Sequence, residues 1–64
     1  MNLEKRHYIA AISNLERRID SLKILILSEE NSGIRFQFTK SYDESIVRLE
    51  TLKVALETIT AAGV

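Results

Sequence analysis

Side chains that could carry chemistry are few in this 64-residue chain. His7 is the only histidine and lies in a charged stretch near the start, which favours a solvated surface role over acid–base or metal chemistry. Carboxylate pairs occur at Glu29–Glu30 and Asp43–Glu44. To act in catalysis or to bind a hard cation, the two carboxylates of a pair would have to point toward the same spot. Adjacent residues on a helix point about 100° apart, and both pairs are expected at helix ends. We therefore expect neither pair to be catalytic.

Signatures of nucleophilic, phosphate and metal chemistry are also missing. The serines have no histidine nearby to activate them, and Gly33 is too isolated to form a phosphate-cradling loop, which needs several glycines before a helix. The absence of cysteine excludes disulfides, and with a single histidine it argues against a structural zinc site, which takes four Cys or His ligands. We expect no enzyme, and no catalytic, cofactor-binding or metal residue.

Arg6, Arg17 and Arg18 are the candidate contacts to nucleic acid. On a helical wheel Arg6 and Arg17 project within about 20° of each other, so two such helices in a dimer would present a basic track. Nine basic and nine acidic residues cancel, however, whereas a protein that gathers phosphates normally carries a basic surplus. A small helical-bundle regulator that binds nucleic acid is therefore the alternative function, disfavoured by the charge balance.

The first element that would position these side chains is a long helix over about residues 3–30. Beyond Leu22 the helix becomes apolar nearly all round, since Ile24 and Leu27 fall off its main seam. Asn31, Ser32 and Gly33 predict its end, with Gly33 in the left-handed conformation that closes many helices. The seam itself repeats in alternating steps of four and three residues, as an amphipathic helix requires: Tyr8, Ile12, Leu15, Ile19, Leu22 and Ile26.

An extended segment is predicted over residues 34–38, where Ile-Arg-Phe-Gln-Phe alternates apolar and polar side chains. It would run back along the end of the first helix. After it, Ser41 and Glu44 fit a capping box and predict a second helix over about 41–61. In an alternative α-β-β-α chain, residues 24–28 pair with 34–38 as a hairpin, because runs of leucine and isoleucine are ambiguous between helix and strand.

The second helix carries two apolar stripes. One is expected to face the first helix and consists of Tyr42, Leu49, Leu52, Leu56 and Ile59. On almost the opposite side, Val47, Val54 and Ala61 repeat every seven residues and form a narrow stripe of small side chains. A hairpin of two helices cannot bury both stripes, so the second is interpreted as a seam between subunits.

Chain length then favours assembly. A domain of about 60 residues buries too little surface to be more than marginally stable, and without disulfides or zinc the remaining route is oligomerisation. We predict one all-α domain over residues 1–64, an antiparallel helical hairpin that forms a helical-bundle homo-oligomer. The longest uninterrupted apolar run is five residues, far too short to span a bilayer, so no membrane role is expected and the cytoplasm is the expected location.

The function predicted from these patterns is binding without chemistry. The chain is expected to act as a homo-oligomeric protein–protein interaction module, either a small adaptor or an inhibitor of a larger, unidentified protein. Arg35 is the base to test first for contact with a partner, because it stands between two apolar neighbours and must point away from them. The predicted partner or oligomer interface comprises Ile24, Leu27, Arg35, Phe36, Val47 and Val54.

Overall fold

The computed structural model describes residues 3–62 and shows two α-helices that pack against each other as a hairpin. Helix α1 runs over Leu3–Ser28, a short turn covers residues 29–31, and helix α2 runs over Ser32–Ala62. No strand occurs in this part of the chain. The predicted helical hairpin is confirmed, and the α-β-β-α alternative with strands at 24–28 and 34–38 is wrong.

Helix α1 buries the seam that its sequence predicts. Ile12, Ile19 and Leu22 are buried, and the other seam positions are half-buried. The helix ends two residues before the predicted boundary, at Ser28, whose hydroxyl donates to the carbonyl oxygen of Ile24 at 2.8 Å. The remaining members of the seam are Tyr8, Leu15 and Ile26.

Residues 34–38, predicted to be extended, form part of α2 instead. Five residues of alternation are also compatible with a helix, since Ile34 and Phe38 are four residues apart and share a face, whereas Phe36 projects on the other side. A lone extended segment would leave its backbone N–H and C=O groups without partners, and a continuous helix satisfies them internally. The backbone N–H of Arg35 accordingly donates to the carbonyl oxygen of Asn31 at 2.9 Å.

Asn31 explains where α2 begins. Its side-chain oxygen accepts from the backbone N–H of Gly33 at 2.9 Å and of Ile34 at 3.1 Å, which satisfies two donors of the first helical turn. Gly33 lies inside this turn, and no glycine within residues 3–62 has a positive φ. The predicted left-handed helix end at Gly33 is therefore wrong, because the Asn-Ser-Gly sequence starts α2 and does not close α1.

The capping box predicted at Ser41 and Glu44 is wrong for the same reason. Both residues lie well inside α2, which begins at Ser32, so their backbone N–H groups already have helical partners. The spacing of a capping box is met here by chance, and Asn31 caps the helix ten positions before Ser41.

The core lies along the middle of the helix pair. Ile12, Ile19 and Leu49 form a buried cluster, and further side chains from both helices pack against it. The main stripe predicted on the second helix is thus confirmed as the face toward α1. Sequence analysis missed Ser45, which is buried, and Ile46, which packs against the cluster. The other packing side chains are Leu15, Tyr42, Leu52 and Leu56.

The hairpin is a thin rod. Helix α1 has 26 residues and α2 has 31, which corresponds to lengths of about 39 and 46 Å, so the second helix is the longer one, contrary to expectation. The described chain measures 49 × 16 × 12 Å, and its radius of gyration of 14.8 Å exceeds the value of about 11 Å typical of a compact domain of this length. Every core residue therefore lies close to the surface.

Candidate interaction surface

The end of the hairpin next to the turn exposes large apolar side chains from both helices. Ile24 is 67% exposed and Leu27 is 87% exposed, although they belong to the most apolar stretch of α1. Leu25 and Ile34 are exposed as well. An extended segment at 34–38, running back along the end of α1, would have covered part of this stretch, but these residues belong to α2 instead. Both residues thus lie on solvent in a single chain.

A second apolar surface follows the outer face of α2, which is defined by Phe36, Val47 and Val54. These side chains are 69%, 66% and 58% exposed, and they project opposite to the core residue Leu49. The hydroxyls of Thr51 and Thr58 donate to the backbone oxygens of Val47 and Val54 at 3.1 and 3.0 Å. Because these two hydroxyls are bound to their own helix, they add little unpaired polarity to the outer face.

Arg35, predicted to be a partner contact on an extended segment, lies on α2 and holds the turn. Its Nε and Nη2 atoms donate to the carbonyl oxygen of Glu29 at 3.0 and 2.7 Å, and Nη2 reaches the carbonyl oxygen of Glu30 at 3.5 Å. The guanidinium thus places positive charge where α1 ends and its carbonyl dipoles are negative. Arg35 has an intrachain role that its neighbours in sequence did not reveal.

A groove of about 360 Å³ lies beside Leu27, between the two helices near the turn. Lys23 and Asp43 contribute its charged groups, one from each helix. Its apolar part extends the exposed surface of Leu27 toward α2. The other lining residues are Ile26, Thr39 and Tyr42.

The three candidate bases for nucleic acid do not form one track. Arg6 and Arg17 are exposed on α1, and Arg17 Nη2 donates to the side-chain oxygen of Asn14 at 3.4 Å. Arg18 instead lines a groove of about 490 Å³ between the helices, together with Glu44 and Arg48. Since an acidic residue shares that groove, its charge is mixed, and the neighbouring arginines 17 and 18 diverge.

The described helices contain no cluster of three or more His, Cys, Asp or Glu side chains that could hold a metal ion. His7 is exposed on α1. Within residues 3–62, neither helix has an apolar stretch long enough to cross a membrane. The chain matches no protein-family model, no curated protein and no solved structure.

Proposed function

We propose that the protein is a non-enzymatic interaction module that works as a helical homo-oligomer, as a small adaptor or an inhibitor of a larger protein. The observation that supports this proposal is the distribution of apolar side chains. Within residues 3–62, nine large hydrophobic residues are exposed, against four in the buried core. Leu27 and the outer face of α2 hold the most accessible of them. Large exposed apolar surfaces are typical of sites that bind other proteins.

The thin core supports the same proposal. A helix pair with so few buried residues gains little hydrophobic stabilisation, and a second copy would convert the exposed apolar surfaces into a bundle core. A location in the cytoplasm stays a prediction of the sequence. Nucleic-acid binding also stays a prediction. Arg6 and Arg17 are exposed on α1, whereas Arg18 lines a groove of mixed charge.

Thermal unfolding followed by helical circular dichroism tests the proposal. If folding is coupled to association, the midpoint temperature rises with protein concentration by mass action. We expect this rise over about a hundredfold range of concentration. The substitution Val47→Ser should reduce the concentration dependence, because it removes an exposed apolar side chain from the outer face of α2. The matched change Ile9→Ser affects an exposed isoleucine on α1 outside the predicted interface and should leave the dependence in place.

A midpoint temperature that is identical at all concentrations would contradict the proposal. A concentration dependence that Val47→Ser and Ile9→Ser alter equally would keep self-association but reject the predicted surface.

A further inference from the structure

The outer face of α2 carries two charges between two of its apolar residues. Phe36, Lys40, Asp43 and Val47 follow one another in steps of four, three and four residues, and all four are exposed. On a continuous helix these positions fall within about 60° of one another, on the side away from Leu49. Asp43 lies at the edge of this set and also lines the groove beside Lys23 of α1. We call this set the outer stripe. It exists only because α2 begins at Ser32, since an extended segment at 34–38 would have placed Phe36 off the helix.

The order of residues in the outer stripe is self-complementary. Read in either direction, it runs apolar, charged, charged, apolar, and the two charges have opposite signs. If a second α2 lies antiparallel with a two-fold axis between Lys40 and Asp43, each Phe36 faces Val47 of the other copy and each Lys40 faces Asp43 of the other copy. A two-fold interface requires such self-complementarity, because the same surface is used twice.

We propose that a second copy of this chain docks on the outer stripe in this antiparallel register. The proposal rests on the proposed function and specifies its partner and its geometry. Two ion pairs flanked by two Phe36–Val47 contacts form the interface, over about 16 Å of each helix. Charge complementarity sets the register and orientation, since opposite charges facing each other favour one alignment and like charges penalise the others.

Other alignments of two α2 helices give poorer pairs. In a parallel pair every residue faces its own copy, so Lys40 meets Lys40 and Asp43 meets Asp43. In an antiparallel pair centred on Glu50 and Thr51, Val47 faces Val54. The two Glu50 side chains then meet near the two-fold axis, and Lys40 and Asp43 each face a neutral residue of the other copy. Only the register centred between Lys40 and Asp43 pairs every charge of the stripe.

A charge-swap experiment tests the register by sedimentation equilibrium. Lys40→Glu and Asp43→Lys each create two like-charge pairs across the two-fold axis, so each single change should weaken self-association by more than about tenfold. The double change Lys40→Glu with Asp43→Lys restores opposite charges and should recover most of the affinity. Lys53→Glu reverses an exposed charge on α2 outside the outer stripe and should have little effect. Helical circular dichroism of each variant verifies that the hairpin has folded.

A cysteine variant separates the two antiparallel registers. In the proposed register the two copies of residue 51 lie about 28 Å apart along the helices, whereas in the register centred on Glu50 and Thr51 they are adjacent. Under mild oxidation, Thr51→Cys should therefore stay free of intermolecular disulfide in a chain that has no other cysteine.

Three results would overturn the inference. If the wild-type chain associates and both single charge reversals associate equally well, the register is wrong while the proposed function stands. Rapid disulfide formation by Thr51→Cys would show the competing register, again with self-association intact. A wild-type chain that is monomeric at every concentration would reject both the register and the homo-oligomeric function.

Discussion

Asn31 and Arg35 fix the turn of the hairpin from opposite sides. Asn31 accepts from the first backbone N–H groups of α2, while Arg35 donates to the carbonyl oxygens of Glu29 and Glu30. Backbone N–H groups at the start of α2 and backbone carbonyl oxygens just after the end of α1 thus find hydrogen-bond partners within a few residues of each other. Side chains of this kind determine where each helix ends, because the first and last helical turns leave backbone groups without helical partners.

Loss of the Asn31 cap should destabilise the hairpin. Asn31→Ala removes the acceptor for Gly33 and Ile34 and should lower the free energy of unfolding by about 1 kcal/mol, whereas Asn31→Asp should retain most of the stability. Urea unfolding at fixed protein concentration measures the difference. Asn14→Ala, the same change inside α1, should be neutral or slightly stabilising because alanine is the better helix former. Equal effects at the two positions would contradict the capping role.

At the scale of elements, the faces of the helices were more predictable than their boundaries. The seam of α1 and the main stripe of α2 follow from residue spacing, because apolar residues every three or four positions must share a helical face. The start of α2 could not be placed in this way. Ile34, Phe36 and Phe38 fit a short strand as well as a helix, and the choice depends on the side chain of Asn31 and on backbone hydrogen bonds that spacing does not encode.

The candidate surface was predictable only in part. Ile24, Leu27, Val47 and Val54 stood out because each lies off the main apolar stripe of its helix, and they are exposed in the hairpin. Their participation in an interface stays a prediction. The contact of Arg35 with the turn could not be predicted from spacing, since it requires the helical course of residues 34–38. A contact of Arg35 with a partner stays a prediction. The same course aligns Lys40 and Asp43 with Phe36, an alignment hidden by the predicted helix start at 41.

The burial pattern of α1 gives a direct test of which face holds the hairpin together. Ile19 is 5% exposed and belongs to the core cluster, so Ile19→Ala should lower the free energy of unfolding by roughly 2 kcal/mol or more. Ile9 is half exposed, and the identical change Ile9→Ala should lower it by less than about 1 kcal/mol. Chemical denaturation at one protein concentration compares them. A larger loss at Ile9 would show that the described core is wrong.

At the scale of the whole molecule, the chain is a rod in which, within residues 3–62, nine large apolar residues are exposed and four are buried. The two helices share one narrow line of contact. Phe36 and Val47 project away from it, and Leu27 borders the groove near the turn. In the proposed register the α2 helices of two copies lie side by side and bury the outer stripe, with α1 of each copy on the far side. This geometry connects the proposed function with the thin core. Apolar residues that stay exposed add little to the stability of the single chain, and the same residues are available to a partner.

Sedimentation equilibrium of the unmodified chain measures directly whether the protein self-associates. With rising concentration up to the millimolar range, we expect a mass that approaches at least twice the 7.3 kDa of one chain. The variant Val47→Glu, which places a carboxylate on the outer face of α2, should shift this transition to higher concentration while its helices persist. A wild-type chain that remains at 7.3 kDa at every concentration, with its helices intact, would contradict the proposed homo-oligomer.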